Sequence, residues 1–296
     1  MNDNKISKNS IVAKFAVPIS FLILFFLAAN FTDCDLVTFW KRRSHLTDLV
    51  VDMIPPDFSY IQKILLPLFY TIQMSVTGTV LGTFFALVLS PFGAANLGFP
   101  AVIRRILRIV IQILRSFPAL ILALTATFLF GLGTFAGTFA ITLYTFAIMT
   151  KLTYEDASAA DVKAYQALRA MGVSKYVAYI HGILPEIIPG FLTNALYLLE
   201  TNVRHSSILG YVGAGGIGLL LNEKISWLEY DKVGTILLML FLTVCVIEYF
   251  SRYLTALIRK ERTIKKEQKP TVVYQPVGTE PVEKQQATAL AQFLPA

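Results

Sequence analysis

The sequence predicts an all-α integral membrane protein with six transmembrane helices. Of its 296 residues, 55% are hydrophobic and 15% are charged, and the mean hydropathy is +0.61. A soluble domain of this length needs far more polar surface, so lipid is the expected solvent for most of the chain. Six apolar runs approach the ~20 residues that a membrane-spanning helix requires. They cover residues 15–31, 64–90, 106–131, 134–150, 187–203 and 233–257.

The first apolar run is longer than the core of a cleaved signal peptide. It extends from Phe15 to Phe31, whereas a signal-peptide core has ~7–15 residues. We therefore expect residues 1–14 to be a cytoplasmic N-terminus and residues 15–31 to be a retained first transmembrane helix. Residues 32–63 then form an extracytoplasmic segment, for which we expect an amphipathic conformation.

The other five runs form the expected helical core, residues 64–257. A short GLGT turn at 131–134 joins the third and fourth runs, which predicts a hairpin. A polar segment at 151–186 interrupts the core before the fifth run. Residues 258–296 are basic and have too little apolar periodicity for a core, so we expect a disordered cytoplasmic tail.

The positions of the basic residues predict that both termini are cytoplasmic. Most of the 26 lysines and arginines fall in the N-terminus, the polar loops assigned to the inside and the C-terminal tail. This bias follows the positive-inside rule. A KRR cluster at 41–43 is the exception, and nearby aspartates dilute its charge. The net charge of +7 is thus explained without nucleic acid, which we do not expect as a partner.

The polar segment has the pattern of a helix, a bend and a second helix. No proline interrupts the residues from Asp161 to Ile183. Gly172 allows a bend, and Ser174 is a suitable N-cap for the second helix. From this pattern alone, two interpretations are equally supported: a connector resting on the membrane surface, and a knob that exposes Ala167 and Leu168 to another protein.

The same segment resembles the cytoplasmic loop signature of ABC importer permeases. A Gln166-Ala167-Leu168 triplet, Gly172 and Leu184-Pro185 follow the spacing of that signature. Gln166 stands where glutamate is usual, and Gly182 where isoleucine is common. The resemblance implies coupling helices that dock onto a separate ATPase. The residues it implies for coupling are Gln166, Ala167, Leu168, Arg169, Gly172, Val173, Ser174, Leu184 and Pro185.

Further motifs resemble one branch of this class, the permeases of phosphonate-type importers. They occur in the expected order as PPDFS (55–59), TIQMS (71–75), GLGTFAG (131–137), ALRAMG (167–172), GILPEIIP (182–189), ETNVR (200–204) and ILGYVGAGGIG (208–218). The resemblance implies a type I ABC importer permease fold that carries phosphonate or a related phosphorus oxyanion. Two alternatives remain open: a permease for another small solute such as an amino acid, and a stand-alone ion-coupled carrier.

The resemblance also implies an assembly at a prokaryotic inner membrane. Its expected members are a second copy of this chain, two ABC ATPase subunits on the cytoplasmic side and an extracytoplasmic solute-binding protein. The sequence has no phosphate-binding P-loop with Gly-Lys-Ser/Thr. We therefore expect ATP and Mg²⁺ to be used by the ATPase, and no cofactor in this chain.

A polar stretch in the fifth run suggests a route for an anion. Glu200 and Arg204 lie one helical turn apart with the acid first, the favourable order for an ion pair. One interpretation is that Asn202 and Arg204, with Ser206 and Ser207, line the translocation pathway, since an arginine fork suits an oxyanion. The other is that Glu200 and Arg204 neutralise each other as a structural ion pair.

The GAGGIG stretch at 213–218 matches a dinucleotide-binding pattern only superficially. That fingerprint requires a preceding strand, whereas this stretch follows a membrane helix. We expect the glycines to break the helix or to allow close backbone packing. Gly213, Gly215, Gly216 and Gly218 are candidates for a gate.

No constellation of residues indicates catalysis or metal binding. His45, His181 and His205 are too scattered for a zinc site, and no serine lies in a nucleophile elbow. Cys34 and Cys245 cannot form a disulfide framework, and we expect them to be packing residues. The sequence thus predicts a transporter subunit rather than an enzyme.

Overall fold

The structure, a computed structural model, describes residues 4–31 and 40–267, and these residues form helices without any β-strand. The all-α class is therefore confirmed. The helices are α1 Asn4–Phe31, α2 Arg43–Asp52, α3 Ile61–Gly93, α4 Ala101–Ser116, α5 Ala119–Phe130, α6 Thr134–Ala159, α7 Lys163–Ala170, α8 Lys175–Gly182, α9 Leu184–Leu209, α10 Ile217–Ser226 and α11 Tyr230–Glu267. Short 3-10 turns at Phe58–Tyr60 and Gly210–Val212 precede α3 and follow α9.

The centre of the bundle is the contact between α3 and α6. Gly78 and Gly82 lie one turn apart on the face of α3 that meets α6. A Cβ atom at Gly78 would lie 2.7 Å from Cγ2 of Ile141, and one at Gly82 would lie 2.7 Å from Cβ of Thr145. Small residues at this spacing let two membrane helices approach closely. Helix α3 therefore serves as the axis against which α6 is placed.

Membrane-spanning length is reached by three helical segments on their own and by two bent pairs. The single segments are Phe58–Gly93, Thr134–Ala159 and Tyr230–Ile258. The bent pairs are α4 with α5, at 93°, and α8 with the segment Leu184–Val212, at 69°. The apolar part of α1, Phe15–Phe31, is shorter. The chain is thus a multi-pass membrane protein with three to five supported crossings, and the predicted count of six is not confirmed.

The third predicted span, residues 106–131, consists of two helices instead of one. Helix α4 ends at Ser116, Phe117 is extended (φ −85°, ψ 126°), and α5 begins after Pro118. Proline lacks an amide hydrogen and disfavours a helical conformation of the residue before it. The Phe117-Pro118 pair therefore breaks the helix inside the apolar run. The hairpin expected at 131–134 is present, since α6 follows α5 directly.

Several helices continue beyond the apolar runs that predicted them. Helix α6 reaches Ala159, so the polar connection begins after residue 159 and not at 151. The last turns of α6 carry an ion pair between Lys151 and Glu155 at 3.4 Å, a spacing that stabilises a polar helix. Helix α11 continues to Glu267, into the segment predicted as a disordered tail.

The predictions for the two termini and for the two cysteines compare with the structure as follows. The tail after residue 267 and Cys34 lie outside the described residues, as do residues 1–3. Cys245 is exposed on α11, on a side of that helix that faces outwards. An apolar residue there contacts lipid as readily as protein, and its role as a packing residue stays a prediction.

Candidate functional site

The polar connection folds into two short helices, which we call the elbow (residues 163–182). Helix α7 ends before Gly172, whose φ of +84° is a backbone conformation that favours glycine. The side chain of Ser174 then caps α8 by accepting a hydrogen bond from the Val177 amide, at 3.4 Å. The predicted order of helix, bend and capped helix is therefore confirmed.

The two helices of the elbow cross at a point that only glycine allows. A Cβ atom at Gly182 would lie 2.8 Å from the backbone nitrogen of Tyr165 and 2.9 Å from its Cα. Backbone atoms cannot rotate away as a side chain can, so a larger residue would separate α7 from α8. This contact therefore requires glycine at position 182 in this chain.

One side of the elbow is bonded to the loop between α3 and α4, residues 94–100. The Tyr165 hydroxyl donates to the Leu97 carbonyl at 2.6 Å, and the Lys175 ammonium donates to the Gly98 carbonyl. Burial raises the pKa of the Tyr165 hydroxyl, so it remains a protonated donor at neutral pH. These two bonds connect the elbow to the loop.

The 94–100 loop is bonded in turn to α4 and α6. The Asn96 side-chain amide donates to the Ala157 carbonyl at 3.0 Å, near the end of α6. From α4, the Arg104 guanidinium donates to the Ala95 carbonyl at 3.4 Å, within the loop. A continuous chain of hydrogen bonds thus connects the elbow to two helices of the bundle. The elbow thus contacts α4 and α6 through this loop, in addition to its direct connection to α9.

The other side of the elbow is open. Among the predicted coupling residues, the exposed ones are Gln166, Ala167, Gly172, Ser174 and Pro185, and the half-buried ones are Leu168, Arg169, Val173 and Leu184. The expectation that Leu168 is exposed is therefore wrong, because it packs against the buried residues under the elbow. Sequence reasoning missed Met171, which is 71% exposed at the bend. The sequence signal for such a residue is a large apolar side chain directly before the glycine of a predicted bend.

A buried polar cluster holds α9 against α3 and α6. The Asn202 amide donates to the hydroxyls of Thr79 and Thr145, both at 2.8 Å. The hydroxyls of Ser206 and Ser75 are 3.0 Å apart. Asn202 and Ser206 are fully buried, and polar groups in such positions commonly join membrane helices. In this structure they contact neighbouring helices, and their role in a pathway stays a prediction.

Glu200 and Arg204 form the ion pair that their spacing predicts. The Arg204 guanidinium donates to the Glu200 carboxylate. The Glu200 side chain is 13% exposed and that of Arg204 is 50% exposed. Ser207 donates its hydroxyl to the Arg204 carbonyl at 2.6 Å, which keeps it on its own helix. The charge of Arg204 is thus largely matched within α9.

The glycine-rich stretch breaks the helix and also allows close packing, the two alternatives that its sequence left open. Positive φ angles occur at Gly213, Gly215 and Gly216. The Ile217 amide, at the start of α10, donates to the Thr71 hydroxyl of α3 at 2.8 Å. A Cβ atom at Gly218 would overlap the Ser207 carbonyl oxygen. The stretch is therefore clamped between α3 and the end of α9, and it follows a helix rather than a strand.

Lysines surround one aromatic ring before α3, a feature that sequence reasoning missed. The ammonium groups of Lys63, Lys224 and Lys232 lie 5.5–5.7 Å from the centre of the Tyr60 ring. The Glu229 carboxylate pairs with Lys224 at 3.0 Å and with Lys232 at 2.7 Å. Hydrogen bonding to Glu229 raises the pKa of the Lys224 ammonium. These contacts join the segment between α10 and α11 to the start of α3.

A membrane transport subunit is the class of protein that this helical bundle and its open elbow define. A family model described as "Binding-protein-dependent transport system inner membrane component" matches residues 78–261. The chain belongs to this family. It is accordingly a permease subunit and not an enzyme, as predicted. The family implies a separate ATPase, which hydrolyses ATP, and a solute-binding protein as partners.

Similar proteins include two permeases from Stutzerimonas stutzeri. The phosphite transport system permease protein PtxC is 31% identical over 217 residues, which cover 73% of this chain and 79% of PtxC. The putative phosphite transport system permease protein HtxC is 32% identical over 242 residues, or 81% and 86% of the two chains. Among solved structures, the MetNI methionine ABC transporter in an inward-facing conformation aligns with a TM-score of 0.60 at 20% identity. That alignment covers 68% of this chain and 99% of the MetNI chain, and it confirms the importer permease fold.

Proposed function

We propose that this chain forms the membrane pathway of an ABC importer for phosphite, phosphonate or a closely related phosphorus oxyanion. The observation that carries the proposal is the similarity to two phosphite permeases over most of the chain. An amino-acid substrate has only a fold-level likeness at 20% identity in its favour. The phosphonate-type motifs between residues 55 and 218 give the same assignment.

The proposed assembly has two copies of this chain in the inner membrane of a prokaryote. Two ABC ATPase subunits, which bind ATP and Mg²⁺, lie on the cytoplasmic side, and a solute-binding protein docks on the opposite side. Both termini of each permease are cytoplasmic. The elbow is then on the side of the ATPases, and its open face supports docking through Gln166, Ala167 and Met171, which are all exposed.

In the proposed cycle, ATP binding draws the two ATPase subunits together and moves both elbows. Each elbow is bonded through Tyr165 and Lys175 to the 94–100 loop, so the motion reaches α4 and α6. The pathway then opens towards the solute-binding protein, and hydrolysis returns it to the inward-facing state. The cycle needs different contacts in the two states. The glycine stretch 213–218 is the proposed gate, because it lies between α3, α9 and the α5–α6 turn.

Reconstitution of the whole transporter tests the proposed function. We expect proteoliposomes containing this chain, its ATPase and its solute-binding protein to accumulate phosphite or methylphosphonate only when ATP is supplied. Methionine at the same concentration should neither be transported nor compete. Accumulation driven by an ion gradient without ATP would instead assign the chain to the stand-alone carriers. Transport of amino acids alone would overturn the substrate assignment.

Substitution of the Glu200–Arg204 pair tests whether its role is structural. We expect Arg204→Gln to lower uptake several-fold, because it leaves the Glu200 carboxylate, 13% exposed, without its partner. The double variant Glu200→Gln/Arg204→Gln should return uptake to within about twofold of wild type, since no buried charge then remains. Initial uptake rates in proteoliposomes give the comparison.

The control for this experiment is the ion pair of Lys151 and Glu155 on α6. It also joins residues four apart, and its side chains are 34% and 52% exposed, so Lys151→Gln should change uptake by less than about twofold. If the double variant of Glu200 and Arg204 stays as impaired as Arg204→Gln alone, Arg204 contacts the anion itself and belongs to the pathway.

A further inference from the structure

The break between α4 and α5 opens a cavity of about 400 Å³. It lies between the bent helix pair, the middle of α6 and the last turns of α9. Its polar lining comes from Arg115, Ser116, Tyr144 and His205. Among the described residues that line it, none is acidic. A cavity of this size accommodates a small tetrahedral oxyanion together with water.

Arg115 provides a positive charge that is not paired with an acidic group among the described residues. It is the basic residue of the last turn of α4 and is exposed towards the break. In the part of the chain that the structure describes, no carboxylate forms an ion pair with it. Arg204, by contrast, has its guanidinium bonded to Glu200. Among the residues that line this cavity, Arg115 is therefore an arginine whose planar guanidinium can bind an oxyanion through two hydrogen bonds.

His205 lines the same cavity, and its ring has a buried nitrogen. Its ring packs edge-on against Tyr144, with 5.5 Å between the ring centres. The Nδ1 atom is buried and has no hydrogen-bond partner among the described residues. An unpaired buried polar atom is costly and is usually satisfied by some partner. With a proton on Nδ1, the imidazole has an unused hydrogen-bond donor beside the cavity, and rotation of the ring would direct it to an oxyanion there.

The helix break places a third favourable feature at the cavity. Pro118, Ala119 and Leu120, which begin α5, all line it. The amino end of a helix carries a partial positive charge and free amide groups, which favour an anion. Discontinuous membrane helices in transporters commonly place such ends at the substrate. The arginine, the histidine and the helix end therefore favour the same kind of ligand.

We propose that this cavity is a binding station for the phosphorus oxyanion on its way through the membrane, with Arg115 and His205 as its principal donors. The inference rests on the proposed function and adds the residues that hold the substrate. It assigns the anion contact to α4 and to His205 in place of the predicted Arg204. The station is transient, because transport requires that the anion leave it again.

Substitution of Arg115 in the assembled transporter tests the station. We expect Arg115→Gln to lower the maximal rate of phosphite uptake by about tenfold or more, the order expected for a lost charge-assisted hydrogen bond. Arg115→Lys should retain an intermediate rate, because it keeps the positive charge and loses the planar guanidinium that donates two hydrogen bonds to one anion. The concentration of loaded solute-binding protein that gives half-maximal uptake should stay the same, because docking occurs elsewhere. Arg105→Gln, on the exposed side of α4 and away from the cavity, is the matched control with unchanged uptake.

A labelling experiment decides the question if Arg115→Gln fails to assemble. Ser116→Cys is made in a chain whose Cys34 and Cys245 are replaced by serine, and a small thiol reagent modifies the purified complex. We expect saturating phosphite, but not chloride at equal ionic strength, to slow modification of the cysteine at least about threefold by occupying the cavity.

The outcomes separate this inference from the proposed function. If the wild-type complex transports no phosphorus oxyanion, the proposed function fails and the station fails with it. If wild type transports phosphite but Arg115→Gln matches it in rate, the station alone is overturned. Equal modification rates of the Ser116→Cys variant with phosphite and with chloride overturn the station in the same way.

Discussion

Met171→Asp is expected to abolish ATP-driven uptake while leaving the permease folded. Met171 is 71% exposed at the bend of the elbow, where the proposed ATPase docks. Full burial of a methionine side chain contributes ~2 kcal/mol, which corresponds to a loss of affinity of about thirtyfold when it is removed from the proposed interface. When the interface forms, an aspartate at this position would also lose its hydration water without gaining an ion-pair or hydrogen-bond partner. Uptake into proteoliposomes and co-purification of the ATPase with the tagged permease measure the effect.

Two further variants are controls for the Met171 substitution. Met171→Leu keeps the apolar volume and should retain uptake within about twofold. Lys163→Gln removes a charge at the start of α7, in the same elbow, from a side chain that is 88% exposed, and it should also be tolerated. If Met171→Asp co-purifies with as much ATPase as wild type and transports at the same rate, the tip of the elbow is not part of the interface.

The elbow shows which features a sequence predicts well. The bend at Gly172 and the cap at Ser174 depend on residues within a few positions of each other, so local rules were sufficient. The direction that each side chain faces depends on distant residues. Leu168 packs inwards because the 94–100 loop and α6 provide apolar partners there. Helical spacing identifies a common face, and it does not say what that face contacts.

The proline at position 118 indicates the helix break at Phe117-Pro118, but the long apolar run around it predicts one continuous span. A run of apolar residues continues through 106–131, and an average over that window is insensitive to a single proline. The residue before a proline is disfavoured in a helix, and this rule alone predicts a boundary there. The 93° angle of the break depends on packing against α6 and was not predictable. The cavity at the break also depends on this packing, so the sequence does not predict it.

The contacts of Asn202 could not be predicted from the sequence, because its partners are far away along the chain. A polar side chain within a membrane span favours either a pathway or a partner on another helix. Its hydrogen-bond partners, Thr79 and Thr145, belong to α3 and α6. Threonines in a single sequence have no mark that identifies them as partners of a distant asparagine. The position of Asn202 in the span was therefore predictable, and its contacts were not.

Gly218→Val is expected to prevent the permease from folding into an assembled transporter. At this position α10 crosses the end of α9, and a Cβ atom would lie 2.8 Å from Cα of Gly210 besides overlapping the Ser207 carbonyl. Both are backbone atoms, so the helices themselves must separate. Overpacking of this kind costs ~1–3 kcal/mol and occasionally more, and separation would also strain the bond between Ile217 and Thr71. Yield of monodisperse protein and its thermal midpoint in detergent measure the loss.

The control for Gly218→Val is a glycine whose surroundings leave room for a side chain. Gly190 lies within α9, and the nearest atom to a Cβ there is a carboxylate oxygen of Asp156 at 3.8 Å. Gly190→Ala should therefore be tolerated, or should raise stability by up to ~1 kcal/mol, because alanine favours a helix. A normal thermal midpoint for Gly218→Val would show that α9 and α10 are free to separate. Close packing of α9 and α10 would then not be required for folding, and loss of uptake in that variant would support the proposed gate.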